Sequence, residues 1–467
     1  MGFTLSANPG AYVAPTVPLV MFAWIPIVLY LFTRFPAQKA LVISVITAWL
    51  FLPEAELSLP GIPDYTKLSA TSYGVLLATF IFDVGRFQSF RYRWIDIPIT
   101  IFCISPLFAS LSNDLGLYDG VASTVDQTMT WGVPYFLGRI YMNKLSAMRQ
   151  MAVGIFIGGL IYIPLCLFET RFSPQLHRIV YGSHAFGDFG QSIRLGGFRP
   201  TVFMRHGLAV AAFMMAATVI GIWLWRSGTI KQLWGIPMSW LVAAQFITFL
   251  LLRSTGAYIL LLLGLGLLFA GKHFRTALPV FVLIGLICAY LYVSAETSTY
   301  FTDQIIEFFG RFLPDDRIQS LEFRFNNEEL LTDKARERLW FGWGGYGRNL
   351  VPVDPANPNG PKTIVDSLWI IVFGTQGTLG LASMTALLLL PVTALFAMRY
   401  PARTWSHPQI APVAVLAVVV ILYKMDCLVN ALVNPVFVLI VGGVAGLVLK
   451  PDRIRPPKPV AQLVRFT

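Results

Sequence analysis

Long runs of apolar residues, separated by short polar segments, make up most of the chain. A helix needs about 20 apolar residues to cross a bilayer. We predict about thirteen spanning helices, with twelve or fourteen as alternatives because the second run is short and the eleventh is long. The predicted spans are 14–33, 40–54, 68–84, 95–111, 121–138, 150–168, 205–225, 236–252, 255–271, 277–294, 367–396, 411–426 and 432–449.

The distribution of lysine and arginine over the loops predicts the orientation of these spans. If the C-terminus is cytoplasmic, the inner segments carry 19 of these residues, whereas the short outer loops carry three, Lys67, Arg253 and Lys424. Short cytoplasmic loops of membrane proteins are enriched in positive residues. We therefore expect a cytoplasmic C-terminus and an N-terminus on the outer side.

Two long segments, 169–204 and 295–366, fall on the outer side of this topology. Together with Arg205 they contain 11 arginines and two lysines. Arginine carries a planar fork that suits phosphate and carboxylate, so this excess predicts an anion site. The alternative is a solvated loop with internal salt bridges. The arginines of interest are Arg199, Arg205, Arg324, Arg336 and Arg338.

The 295–366 segment is too long for a plain connection, so it should carry its own structure. An apolar face over 300–312 predicts an amphipathic helix, and 319–340 predicts a polar helix. Residues 341–349 form a glycine-rich turn with aromatic residues. We expect one integral membrane domain over 1–467, all-α, with both long loops covering an active site.

Composition supports the membrane class. Of the 467 residues 56% are hydrophobic and 13% are charged, and the mean hydropathy is +0.66. The net charge of +11 reflects basic loops rather than nucleic-acid binding. Four cysteines lie far apart in apolar runs, and no cluster has metal-ligand spacing, so we expect neither a disulfide framework nor a metal site.

Several polar residues fall near the outer ends of predicted spans. An ionisable group in a membrane usually faces a cavity or a partner. We therefore predict an outward-facing cavity edged by Asp126, Glu169, Arg199, Arg205, His206, Arg253 and Asp366. His206 serves equally well as a helix cap or as a catalytic group. Arg139, at the inner end of the fifth span, is better explained as a positive-inside anchor.

Four stretches resemble the bacterial O-antigen ligase and O-antigen polymerase superfamily, which includes exopolysaccharide polymerases. They are RLGGFRPTVFMRHG at 194–207, LLLRSTGAYILLL at 250–262, KARERLWFGWGGYGRN at 334–349 and DSLWIIVFGTQGTLGL at 366–381. The resemblance runs from about residue 120 to residue 445. Each stretch is loose alone, and the four together are fairly specific.

The resemblance implies a multi-pass protein of the bacterial inner membrane with a periplasmic active site. It implies metal-independent transfer of glycan from undecaprenyl-diphosphate-linked donors, without a cofactor. The family's diphosphate-binding arginines match Arg253 and either Arg336 or Arg338, with Arg205, Arg199 and Arg324 as further candidates. Asp366 occupies the position where ligases have a histidine, so the catalytic base is assigned to Asp366, Glu169 or His206.

The acceptor distinguishes the functions that the resemblance allows. A polymerase extends a second lipid-linked glycan, and the replacement of histidine by Asp366 favours it; chain-length regulators or export proteins are then possible partners. A ligase transfers to lipid A-core instead. A flippase or transporter of lipid-linked glycans is the alternative of another class. A metal-dependent transferase fits less well, because residues 52–67 lack an Asp-x-Asp pattern.

Overall fold

The computed structural model describes residues 3–5, 13–59, 62–185, 189–194, 196–296, 306–307, 310–311, 315–345, 347–352, 360 and 362–452. Within these ranges the protein is mainly helical. The α-helices are α1 Thr16–Arg34, α2 Ala37–Phe51, α3 Lys67–Phe82, α4 Gly85–Ser89, α5 Ile97–Ser112, α6 Leu117–Gln127, α7 Val133–Tyr141, α8 Leu145–Phe172, α9 Leu176–Tyr181, α10 Gly207–Arg226, α11 Met238–Leu251, α12 Thr255–Phe274, α13 Leu278–Glu296, α14 Asp315–Arg336, α15 Leu368–Met398, α16 Ala411–Asp426 and α17 Pro435–Leu449.

Short antiparallel strands occur only in the connections that the structure describes. Three of them, β1 (Phe3–Leu5), β2 (Ala55–Leu59) and β3 (Ile62–Thr66), form one sheet in that order. Two hairpins follow, each made of two-residue strands: β4 and β5 at Ile193–Arg194 and Gly197–Phe198, then β6 and β7 at Gln232–Leu233 and Ile236–Pro237.

The predicted apolar runs all coincide with helices, and the multi-pass helical class is therefore confirmed at this level. Within the described ranges, seven helices are long and apolar enough to cross a membrane, and the shorter apolar helices include α2, α3, α11 and α17. The helices α10, α16 and α17 are almost entirely buried and form the centre of the bundle. Their apolar character on every face follows from this central position.

Two predicted spans are interrupted. The fifth consists of α6 and α7, joined by a π-helical turn at Thr128–Gly132. The eleventh is the 31-residue α15, which is broken at Gly377, where φ is 63° and ψ is −162°. Only glycine adopts this backbone conformation readily. The break explains why the eleventh apolar run is longer than one span requires.

Hydrogen bonds between distant segments sort the loops into two groups, one at each end of the bundle. At one end, Thr16 binds Val180, Tyr181 binds Phe51, and Arg199 binds Arg253. We call this the loop end, because it carries the 169–204 segment. At the opposite end, Leu145 binds Asp452, Arg149 binds Thr229, and Arg399 binds Val448. The start of α1 and the end of α2 therefore lie at the same end, so these two consecutive helices run in opposite directions.

A buried ion pair stabilises the opposite end. Both Arg139 and Asp96 are buried, and Arg139 donates Nε and Nη2 to the two carboxylate oxygens at 2.7 and 3.1 Å. The Tyr135 hydroxyl and the Arg93 backbone N–H also donate to Asp96. The interpretation of Arg139 as a membrane anchor therefore missed its main contact. An exposed anchor would leave its guanidinium in water, whereas this one is enclosed by α7 and the segment before α5.

The predicted polar helix over 319–340 corresponds to α14, which begins and ends four residues earlier. The predicted amphipathic helix at 300–312 lies outside the described residues, except for 306–307 and 310–311. The described parts of the glycine-rich turn, 341–345 and 347–349, follow α14 as non-helical segments.

Candidate active site at the loop end

Arg253 lies at the tight turn between α11 and α12. Its backbone φ of 55° is in the left-handed region, which a non-glycine residue adopts only at some cost in free energy. Its side chain reaches the β4–β5 hairpin and donates Nη1 to the Arg194 carbonyl at 3.2 Å. Its own carbonyl accepts Nη2 of Arg199 at 3.3 Å. Two hydrogen bonds from guanidinium groups to backbone carbonyls thus link Arg253 to Arg194 and Arg199 to Arg253.

Two glycines make room for these arginines. A Cβ atom at Gly197 would lie 2.0 Å from Nη1 of Arg253, and one at Gly207 would lie 2.4 Å from Cδ of Arg199. Any larger residue would displace the guanidinium or the arginine stem. The glycines in the 194–207 stretch therefore have a packing role that the sequence pattern alone did not reveal.

Glu169 holds the backbone of the first long loop in place. Its side chain is fully buried, and it accepts N–H groups from Leu176 at 2.8 Å, Thr201 at 2.9 Å and Val202 at 2.7 Å. Val202 has a φ of 52°, which is rare for a β-branched residue. Both carboxylate oxygens are thus occupied by charge-assisted hydrogen bonds that stabilise a strained turn. A role as catalytic base would require these bonds to break.

Glu54 connects the same loop to the α2–α3 connection. Its carboxylate pairs with Lys67, which is buried, and accepts the backbone N–H of Arg205 at 3.1 Å. Its own N–H donates to Nε2 of His177 at 3.3 Å. Nδ1 of His177 lies 2.6 Å from the Ser183 carbonyl, so the ring is the neutral Nδ1–H tautomer. Burial lowers the pKa of His177 and favours this uncharged form.

His206 caps α10. Its Nδ1 accepts the N–H of Leu208 at 3.0 Å, in the position of an N-cap side chain. Of the two roles predicted for it, the structure shows the cap. Its neighbour Arg205 is exposed at the same loop end.

The arginines of the second loop have different surroundings. Arg336 is largely buried and donates to the carbonyls of Ser294 and Ala295 at 2.7 and 3.1 Å, which closes the C-terminus of α13. Arg338 is exposed and lies 5.2 Å from the ring centre of Trp343. Lys334 lies over the same ring at 3.8 Å. The side chain of Arg324 is outside the part of the chain that the structure describes.

The glycine-rich turn after α14 packs into the break in α15. Trp343 and Gly344 donate their N–H groups to Gly374 and Thr375, while Thr378 donates to Leu339 at 2.7 Å. A Cβ at Gly342 would lie 2.5 Å from the backbone N of Gln376, so the two chains pass in direct contact. Residues 339–344 of the second long loop are therefore built into the helical bundle and do more than cover it.

A polar cluster lies beside this break. Gln127 and Gln376 exchange hydrogen bonds through their side chains at 2.9 and 3.0 Å, and Ser105 donates to Gln376 at 2.6 Å. Asp126, on the neighbouring position of α6, is exposed. Asp126 and Gln127 thus lie directly before the π-helical turn at Thr128–Gly132. Such turns frequently occur at functional sites.

Asp366 is exposed two residues before α15. The N–H groups that follow it, those of Leu368 and Trp369, donate to the carbonyls of Asn430 and Cys427 at 3.2 and 3.3 Å. This fixes the start of α15 against the end of α16.

Glu328 lies in the second long segment, for which a solvated loop with internal salt bridges was the alternative expectation. The structure places it on α14, facing α13, where it accepts the hydroxyl proton of Tyr290. Burial raises the pKa of Glu328 to about 7, with the nearby Glu329 acting in the same direction. No local sequence signal distinguishes Glu328 from Glu329. Only the docking of α14 does.

Within the described ranges, no group of three or more His, Cys, Asp or Glu side chains is placed to hold a metal ion. No protein-family model matches the chain, and neither does any curated protein.

Proposed function

We propose that the protein is a membrane glycosyltransferase that polymerises glycan repeat units from undecaprenyl-diphosphate-linked donors, without a metal ion. The observation that carries the proposal is the linked arginine group at the loop end. In it, Arg253 and Arg199 donate to backbone carbonyls and pack against Gly197 and Gly207, where a Cβ atom would collide with them. This group coincides with two of the four stretches that resemble the O-antigen ligase and polymerase superfamily.

The reaction breaks the bond between the anomeric carbon and the diphosphate oxygen of the donor. The electron pair leaves with the diphosphate, which is a good leaving group once its charge is neutralised. A guanidinium fork supplies this neutralisation by bidentate hydrogen bonds in a site of low dielectric. Arg253 is the principal candidate, and exposed Arg205 and Arg338 are the further ones. Arg199 is buried, and Arg336 donates through both Nε and Nη2 to backbone carbonyls, so we assign these two arginines to positioning.

The attacking nucleophile is a hydroxyl of the acceptor glycan, and attack opposite the leaving group inverts the anomeric centre. The hydroxyl proton passes to a general base, an effect worth roughly 10²–10⁴-fold. We favour Asp366, because it is exposed at the loop end. Glu169 accepts three backbone N–H groups, and His206 already caps α10.

The proposed setting is the bacterial inner membrane, with the loop end and the N-terminus in the periplasm and the C-terminus in the cytoplasm. The excess of lysine and arginine in the short loops of the opposite end supports this orientation. The donor and the acceptor both reach the site from the membrane. Chain-length regulators and export proteins are the partners expected for such a polymerase.

The test uses the purified full-length protein and a lipid-linked repeat unit, with products separated by gel electrophoresis. A ladder of products is expected for polymerisation. Arg253→Ala should abolish the ladder, whereas Arg171→Ala should keep it, since Arg171 is exposed at the end of α8. A ladder of wild-type intensity from Arg253→Ala would exclude this arginine from the reaction.

The gel also separates the alternatives. A single shifted band on added lipid A-core indicates ligation.

The break in α15 at Gly377 favours a second class of function, transport, because discontinuous helices form the substrate sites of many transporters. Movement of the lipid-linked glycan across a vesicle membrane without a covalent product would establish transport and refute the transferase.

A further inference from the structure

A cavity opens beside the C-terminal half of α14, in the second long segment. Its volume is about 300 Å³, which is at the lower limit for small-molecule sites in proteins. One wall is the side-chain face formed by Leu330, Asp333, Lys334 and Glu337. Residues at these spacings of three and four lie on one side of a helix. The other wall is the segment 350–352, which contributes apolar side chains.

The second wall is fixed to the chain that leads into α15. Thr363 donates its N–H to the Val351 carbonyl at 2.8 Å, and its hydroxyl accepts the Val351 N–H at 3.1 Å. Pro352 and Lys362 form an antiparallel bridge beside this pair. Asp366 follows Thr363 by three residues, which span at most about 11 Å even when fully extended. The cavity wall and the proposed general base are therefore parts of one short, hydrogen-bonded segment.

The charged side chains at the cavity are held in place by printed-out contacts of known geometry. Lys334 pairs with Glu337 at 2.6 Å, and Arg336 pairs with Asp333 at 2.5 Å. The Lys334 ammonium also lies 3.8 Å from the ring centre of Trp343, whose indole N–H donates to the Lys334 carbonyl at 2.7 Å. Exposed ion pairs stabilise a fold little. Their effect here is to order the polar groups before a ligand arrives, which lowers the entropy cost of binding.

These groups remain accessible to a ligand. The side chains of Asp333 and Glu337 are 60 and 54% exposed, and that of Lys334 is 27% exposed. The cavity thus presents carboxylate acceptors and an ammonium donor opposite an apolar wall. The four charges of the two ion pairs cancel, so the site offers no net attraction to an anion such as diphosphate.

We propose that this cavity binds a sugar ring of the acceptor glycan. A sugar ring carries hydroxyls that both donate and accept, and its C–H groups can lie against Leu350, Val351 and Pro352. The ring needs no net charge from the protein, in contrast to the diphosphate that we assign to Arg253. The two substrates therefore have separate places, and the acceptor's place is the one joined to Asp366.

The inference deepens the proposed function and rests on it for the acceptor role. The ligand class, an uncharged glycan, rests on the cavity alone. The experiment therefore measures binding without turnover. Its probe is the oligosaccharide repeat unit freed of lipid and phosphate, titrated to millimolar concentration against the full-length protein in detergent and followed by saturation-transfer NMR.

Two variants alter the cavity in different ways. Val351→Trp fills it and should weaken oligosaccharide binding at least about tenfold. Glu337→Ala removes one acceptor and frees Lys334, and it should weaken binding about three- to tenfold. The matched controls are Ile364→Trp, at a 67% exposed position beside the same wall, and Glu322→Ala, at an exposed position on α14. Both controls should bind as the wild type does.

The thermal unfolding midpoint of each variant shows whether the fold is intact. Glu337→Ala should unfold near the wild-type temperature, because an exposed ion pair contributes little to stability. This variant therefore keeps the test decisive if Val351→Trp folds poorly.

The outcomes separate the cavity from the proposed function. Loss of oligosaccharide binding in both cavity variants, with full binding in Arg253→Ala, supports the site. If the wild type then yields no glycan ladder, the sugar site remains and the transferase is refuted. Wild-type affinity in Glu337→Ala and in folded Val351→Trp overturns the proposal, as does the absence of oligosaccharide binding by the wild type. Binding of inorganic pyrophosphate that depends on the cavity residues overturns the uncharged ligand class.

Discussion

Replacing Gly197 by alanine tests whether the position of the Arg253 guanidinium matters for activity. The new Cβ would lie 2.0 Å from Nη1, 2.3 Å from Cζ and 2.5 Å from Nη2 of Arg253. Ordinary contact begins near 3.4 Å, so the guanidinium must retreat by roughly 1.4 Å. A misplacement of about 1 Å in a catalytic group costs on the order of 10²-fold in rate. We expect a fall of that size in glycan transfer.

The effect on stability should be small, because the group that moves is the far end of a flexible side chain. We expect the free energy of unfolding to change by less than about 1 kcal/mol. The assay pairs initial rates of polymer formation with the thermal unfolding midpoint in the same detergent. Gly256→Ala is the matched control, since Gly256 lies in α12 beside the same turn and its Cβ would meet nothing within 4 Å.

Two results would refute the reasoning. The first is a Gly197→Ala rate within twofold of the wild-type rate at unchanged stability, which would show that the arginine position is irrelevant to transfer. The second is an equal loss of rate in Gly256→Ala, which would show that the turn tolerates no change of any kind.

Three further predictions concern stability. Arg139→Met alone should lower the free energy of unfolding by about 3–5 kcal/mol, because it leaves the Asp96 carboxylate buried and unpaired. In a denaturant titration, the double variant Arg139→Met with Asp96→Leu should recover most of this lost stability. Equal losses of stability in the single and double variants would contradict the prediction. Gly377→Ala should release the 339–344 segment, because the new Cβ would lie 2.4 Å from the Trp340 carbonyl carbon. Faster proteolytic cleavage after α14 should report this release. An unchanged cleavage rate would argue against the release. Because the pKa of Glu328 is raised to about 7 from its ordinary 4.5, its contribution favours folding below pH 4.5 and is lost as the pH rises through 7. The unfolding temperature of Glu328→Gln should therefore decline less than that of the wild type between pH 5 and pH 8, and parallel declines would refute the shift.

The local predictions succeeded where the chain's own pattern was sufficient. The apolar runs became helices, and the long eleventh run and the 319–340 segment were found close to their observed limits. Hydrophobic length and periodicity report on the backbone state of a segment, because a helix in an apolar medium satisfies its hydrogen bonds internally. The alternation of inner and outer loops along the chain was enough to predict that several polar residues lie near the same end of the bundle. Asp366, Arg205 and Arg253 all lie at the loop end.

The roles of these residues depended on contacts between distant parts of the chain. The sequence suggested Glu169 as a catalytic base and Arg336 as a diphosphate-binding residue. In the structure, both side chains make hydrogen bonds to backbone atoms of other segments. The break at Gly377 and the burial of Glu328 both depend on where α14 and the glycine-rich turn after it dock against the bundle. By itself, therefore, the sequence determined the helical membrane class, the order of the helices and the residue types at each end. Only the tertiary structure decided which polar groups are already bonded, because hydrogen-bond partners separated by tens to hundreds of residues leave no periodic trace in the chain.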